Sequence, residues 1–261
     1  MSTESSRAVP DPSFRDTALD PDRDRPSPDP VLVIFDLDGV LVDTQDAENG
    51  ALAHIGELMG LTLGTQQRDD LFSGKKMQEC IDLMEAMTRT APPPDAMALA
   101  RAKCEQLIGE RMDPIDGVAD TLERLSARGL GMCVASNSPR EIIERRLAKA
   151  GVLHHFGDRL FSAYDVSAWK PDPKLFLWAA AECGAAVDDC VVVEDSPVGV
   201  DAALGAGMRV LQYAADPAVG PHRGGAQVFT SMRELPGLLR GRRPHTPTPP
   251  SPSTARPGGT S

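Results

Sequence analysis

Two short apolar runs in this chain each end on carboxylates, and few folds accommodate that arrangement twice. The first, Val31-Leu32-Val33-Ile34-Phe35, runs into Asp36-Leu37-Asp38-Gly39; the second, Val191-Val192-Val193, runs into Glu194-Asp195-Ser196. Both read as buried strands. A carboxylate at a buried strand end is costly unless its pKa shifts or a cation meets it. In open α/β sheets the C-terminal ends of parallel strands converge on one crevice. The two acidic ends can therefore meet, and hard oxygens clustered there suit Mg²⁺.

The remaining pattern supplies such a sheet. From Asp46 to Leu61 the apolar residues Ala47, Ala51, Leu52, Ile55, Leu58 and Met59 recur at helical spacing. Two further helical stretches, 75–88 and 95–112, lie on either side of the breaker Ala91-Pro92-Pro93-Pro94. No strand-like run interrupts 46–112, which predicts a helical insert. After Pro114 helices and strands alternate: helix 117–128, strand 130–135, helix 139–150, strand 159–162, helix 173–183, strand 190–194, helix 197–206, strand 208–212. Such alternation predicts an α/β fold, a doubly wound parallel sheet with a Rossmann-like core and an inserted α-helical cap domain. The expected division is a catalytic core of 31–45 and 113–240 and a cap of 46–112. Residues 1–30 and 241–261 hold twelve of the 23 prolines and lack apolar periodicity, so both read as disordered tails.

Charge narrows the partners. The tails carry seven basic and seven acidic residues, so the body between them bears the whole net charge of −11. That balance disfavours nucleic acid, whose binding rests on phosphate neutralisation. No apolar run is long enough to span a membrane, and Met1–Pro30 contains no secretory h-region. Cys80, Cys104, Cys133, Cys183 and Cys190 are odd in number and lack CxxC spacing, which favours reduced thiols in a cytoplasmic protein. The expected partner is a small phosphorylated metabolite, and the default state is a monomer.

Four constellations carry chemistry. Asp36 and Asp38, two residues apart, let one carboxylate attack while the other exchanges a proton at the same centre, and Gly39 permits the turn. Ser136, with Asn137 and Ser138, follows the strand Gly131–Ala135 and precedes a helix, where a hydroxyl and free amides meet an anion. Lys170, between Trp169 and Pro171-Asp172-Pro173, presents a fixed point charge to carboxylates or phosphate. Asp195 is the expected metal anchor, with Glu194 as a further ligand or as the group that orients it. His154-His155 reads as a surface or packing pair whose side chains point apart. The methionines of 77–97 read as cap core, and Trp169 and Trp178 as core or rim.

In this order the four blocks resemble the haloacid dehalogenase superfamily, in its subgroup with a helical cap after the first motif, over about residues 31–236. The resemblance implies that Asp36 is the nucleophile and Asp38 the general acid and base. It places Mg²⁺ on the Asp36 carboxylate, the Asp38 backbone carbonyl and the acidic pair, chiefly Asp195. It assigns Ser136 and Lys170 to the phosphoryl oxygens. The stretches Phe72–Lys76 and Leu160–Pro173 are most similar to bacterial sugar-phosphate phosphatases of the 6-phosphogluconate phosphatase type, with Lys75 or Lys76 contacting an anionic substrate. β-Phosphoglucomutase-like members place an arginine three residues after a cap glycine; here Gly74 is followed by Met77 at that position. A phosphosugar mutase is therefore the alternative within the family. A phospho-accepting signalling switch is the alternative of another class, opposed by the cap and by Asp38. Hydrolytic dehalogenation needs neither Asp38 nor Asp195 as a metal ligand.

Overall fold

A computed structural model describes residues 32–72, 75, 77–110 and 112–240; the expected tails, Gly74 and Lys76 lie outside the described residues. Strand β1 (Leu32–Phe35) is followed by four helices: α1 (Gln45–Leu58), α2 (Thr65–Phe72), α3 (Met77–Thr88) and α4 (Ala96–Ile108). The chain then alternates through α5 (Val118–Ala127), β2 (Gly131–Ser136), α6 (Arg140–Lys149), β3 (Leu160–Ser162), α7 (Ala163–Val166) and α8 (Lys174–Glu182). It ends with β4 (Cys190–Glu194), α9 (Pro197–Gly205), β5 (Arg209–Tyr213), β6 (Ala226–Phe229) and α10 (Leu235–Leu238).

All six strands are parallel, in the order β3-β2-β1-β4-β5-β6. The doubly wound character is visible in β1 itself. Val33 and Phe35 pack on one face with Leu122 and Leu125 of α5 and Ile143 and Leu147 of α6. Leu32 and Ile34 pack on the other with Leu175 and Phe176 of α8 and Val200 and Ala203 of α9. Period-2 alternation thus feeds two separate cores, as a strand buried on both faces requires. The four helices after β1 enclose a third cluster of their own, around Ile55, Phe72, Ile81, Met84 and Ala100.

Order and register place the site. From β1 the chain moves outward through β2 and β3, then returns to add β4 on the opposite side of β1. That reversal is a topological switch point, where a crevice opens at the strands' C-terminal ends. Phe35 is level with both Val134 and Val193, and the Asp36 amide bonds the Val193 carbonyl at 3.0 Å. Asp36 and Glu194 therefore leave adjacent strands at the same height.

Several expectations need correction. Helix α2 is not expected, because Thr65-Gln66-Gln67-Arg68-Asp69-Asp70-Leu71-Phe72 offers almost no apolar face; the buried Phe72, with Leu71 packed beside it, anchors its end in the third cluster. The short strand β6 was also missed. Helix α3 begins at Met77 rather than Lys75, and Pro139 caps α6 instead of opening it. Leu58 and Met87 are exposed rather than buried, since the third cluster is closed by Met59 and Met84 on the inner sides of their helices. The His154 and His155 rings do not point apart: they meet at 4.0 Å in a single 3₁₀ turn, with His155 Nδ1 drawn to 3.2 Å from Ser126 Oγ.

Candidate active site

The loops leaving β1, β2 and β4, with the loop that carries Lys170, surround a cavity of about 220 Å³. Of the residues expected from the sequence, Asp36, Asp38, Ser136, Asn137, Lys170 and Asp195 all line it, and Glu194 lies directly beneath. Lys75 lies elsewhere, on an adjoining cavity of about 300 Å³ between the helical insert and the β4 loop, with Glu48, Asn49, Phe72 and Met77.

Lys170 is 3 % exposed and is clamped between two carboxylates. Its Nζ lies 2.6 Å from Asp36 Oδ1 and 2.6 Å from Glu194 Oε1. Burial alone depresses an ammonium, but these two anions hold Lys170 above its ordinary range and keep it charged. The loop is fixed from below, since the Lys170 backbone amide donates to Asn137 Oδ1 at 3.0 Å. For Asp36 the balance is reversed. Burial, reinforced by the nearby Glu194 and Asp38 and only partly offset by Lys170, pushes its carboxyl up to about 7.

At the β4 end the two acids differ. Glu194 is fully buried, and its Oε2 accepts from the amides of Asp195 and Ser196 and from the Ser196 hydroxyl, each at 3.0 Å. Gly199, in the first turn of α9, is required beneath it, because any Cβ there would overlap the Glu194 carboxylate. Glu194 is thus saturated by protein donors and orients Asp195. Asp195 has the opposite condition: its Oδ1 is buried with no hydrogen-bond partner among the described residues. Burial first, then the charges of Glu194 and Asp36, push its carboxyl well above the usual range. Carboxylate oxygens of Asp36, Glu194 and Asp195 lie within 4.8 Å of one another. An orphaned buried oxygen among crowded anions is the condition that a hard divalent cation relieves. Gly39, at φ +79°, lets the β1 loop pass so close that a Cβ would strike Asp195.

Asp38 faces the other way, outside that triad. Its Oδ1 accepts from Thr44 Oγ1 at 3.1 Å and from Arg146 Nη1, and Ser138 Oγ lies 3.4 Å from Oδ2. Ser136, 2 % exposed, accepts the Ser138 amide on its Oγ at 3.1 Å, which leaves its own proton free to donate into the cavity. Thr44, Glu48 and Arg146 were not singled out from sequence. For Arg146 a signal existed: it falls between Ile143 and Leu147 on the buried side of α6, a helical-face position where a charge is out of place.

The comparisons agree with this geometry. The chain is 34% identical over 212 residues to 6-phosphogluconate phosphatase of Escherichia coli (strain K12), covering 80% of this chain and 95% of that protein. It is 32% identical over 181 residues to fructose-1-phosphate phosphatase of the same organism, covering 67% and 92%. Among solved structures, a HAD family hydrolase from Deinococcus radiodurans R1 with bound phosphate and sodium superposes with a TM-score of 0.66 at 28% identity, over 80% of this chain and 94% of that one. Residues 31–207 match the haloacid dehalogenase-like hydrolase family. With two acidic strand ends meeting at one switch point under a helical insert, the chain belongs to that family of hydrolases.

Proposed function

We propose that the protein is a Mg²⁺-dependent phosphatase that hydrolyses a small phosphorylated sugar or sugar acid through an aspartyl-phosphate on Asp36. The observation that carries this reading is Lys170, buried between Asp36 and Glu194, which fixes a carboxylate nucleophile beside a cation able to meet phosphoryl oxygens. The two relatives named as sugar-phosphate phosphatases and the neighbour with bound phosphate support the substrate class.

In this mechanism Asp36 Oδ attacks phosphorus in line with the ester oxygen, and Asp38 donates a proton to the departing alcohol. Asp38, now a carboxylate, then takes a proton from the water that attacks the aspartyl-phosphate, restoring Asp36 and releasing phosphate. Ser136 and Lys170 hold the equatorial oxygens, where charge develops. Asp36, Asp195 and the Asp38 carbonyl would hold Mg²⁺, which would supply positive charge to offset the repulsion between nucleophile and phosphate. Glu194 keeps Asp195 aimed. Lys75, at the neighbouring cavity, meets the anionic part of the leaving group, and Met77 supplies no charge there. That absence favours a phosphatase over a mutase.

Release of inorganic phosphate from a panel of sugar phosphates with Mg²⁺ tests the reading. Turnover that is lost with EDTA and falls roughly 10⁴-fold or more in Asp36→Asn is expected, the scale seen when a nucleophile is removed. Turnover undiminished in Asp36→Asn contradicts it.

A further inference from the structure

Two cations are buried among the described residues, Lys170 and Arg146, and the mechanism uses only the first. Arg146 projects from α6 into the seam between the sheet and the helical insert. Its Nη1 bonds Asp38 Oδ1 and lies 3.9 Å from Glu48 Oε1 on α1. Its Nε bonds Glu105 Oε1 at 3.0 Å and its Nη2 lies 3.6 Å from Cys104 Sγ, both on α4. One guanidinium therefore fastens the loop after β1 to two helices of the insert. Glu105 is anchored in turn, its Oε2 lying 3.5 Å from Arg145 and 3.7 Å from Lys149, both on α6.

We propose that Arg146 is a positioning residue that makes the placement of Asp38 depend on the docking of α4. The inference rests on the role given to Asp38 above. A guanidinium is a rigid planar fork that favours two parallel bonds to one carboxylate. With α4 docked, Glu105 takes Nε and Cys104 takes Nη2, so Asp38 is held through Nη1 alone, in one direction. With α4 displaced, the freed edge can grip Asp38 through both oxygens and withdraw it from the reacting centre. Glu105 thus acts on the reaction through Arg146; it lines neither the 220 Å³ nor the 300 Å³ cavity.

The test compares Glu105→Gln, Arg146→Lys and Arg146→Ala, using the best sugar phosphate found for the wild type and p-nitrophenyl phosphate, whose leaving group needs little protonation. On the sugar phosphate, kcat is expected to fall roughly 10- to 100-fold in both Arg146 variants and about 3- to 10-fold in Glu105→Gln, with KM within about 3-fold; these are fractions of what a general acid–base supplies. On p-nitrophenyl phosphate the losses shrink, and millimolar guanidinium restores part of the Arg146→Ala activity. Hydrogen exchange must quicken together in α4 and in the 36–44 loop of Arg146→Lys. If Arg146→Ala fails to fold, Glu105→Gln and Arg146→Lys decide. Wild-type kcat in folded Glu105→Gln and Arg146→Lys overturns the proposal, as does exchange that changes in only one segment. A wild type inactive on every ester overturns the proposed function instead, and the exchange experiment then judges the coupling alone.

Discussion

Lys170 and Arg146 are both buried cations set among carboxylates, yet they hold different things together. Lys170 joins Asp36 to Glu194, two groups on adjacent strands of one sheet. Arg146 joins Asp38 to Glu48 and Glu105, so its partners lie partly in the core and partly in the helical insert. The first cluster is as rigid as the sheet register that builds it. The second is only as rigid as the docking of α1 and α4. On the proposed mechanism the nucleophile and the oxygens that would hold the metal are fixed in advance, while the proposed acid–base answers to the insert.

Replacing Lys170 by Met should have the largest effect of three ways to probe this contrast. Two buried acids lose their cation, which should lower stability by about 3–5 kcal/mol, the scale for breaking a buried pair. Loss of the phosphoryl contact should cut kcat roughly 10²- to 10³-fold. Urea denaturation and steady-state kinetics measure the two effects, and a variant as stable and active as wild type would dissolve the distinction. Gly199→Ala perturbs the same cluster without removing a charge. The new Cβ displaces the Glu194 carboxylate from the Asp195 and Ser196 amides, and Mg²⁺ affinity should fall about 10-fold, as when a group supporting a ligand is lost. Calorimetric titration with Mg²⁺ reads this directly.

The smallest effect is the pH dependence of stability carried by Glu48, beside Arg146. Burial, with Asp38 next, pushes the Glu48 carboxyl from 4.5 up to about 7, against the pull of Arg146 and the Thr44 hydroxyl. Between those values the folded state binds more protons than the unfolded chain. Stability therefore falls as pH rises from about 4.5 to 7 and stays low above it. With the Glu48 side chain 36 % exposed, solvent screening reduces the effect to roughly 1 kcal/mol. Thermal melts at pH 5 and pH 8 should show a smaller loss in Glu48→Gln than in wild type; equal losses would place Glu48 outside the coupled cluster.

The same contrast explains what the sequence made legible. Most of the sheet was readable because Leu32–Phe35 and Cys190–Val193 are continuous apolar runs, and the parallel order of β1 to β5 follows from the helices between those strands. The rigid cluster was readable too, since Asp36, Glu194 and Lys170 occupy strand ends or a proline-bracketed loop where a charge stands out. Glu105 and Glu48 were not, and Arg146 showed only as a charge on the apolar face of α6. Each sits in a helix among ordinary surface charges, and only the docking of α4 on α6, set by contacts between residues about 40 positions apart, turns those charges inward. Helix α2 escaped for a related reason, since its place depends on neighbours rather than on its own pattern.

The central claim is that Asp36 carries the phosphoryl group. Rapid acid quench of Asp38→Ala with Mg²⁺ and p-nitrophenyl phosphate, whose leaving group needs little help from the acid that the variant lacks, followed by proteolysis and mass spectrometry, tests it most directly. Loss of the base that activates water should leave a phosphoryl group on the peptide containing Asp36, at a level approaching the enzyme concentration. Phosphate release with no phosphoryl group on Asp36 at any quench time would contradict the account.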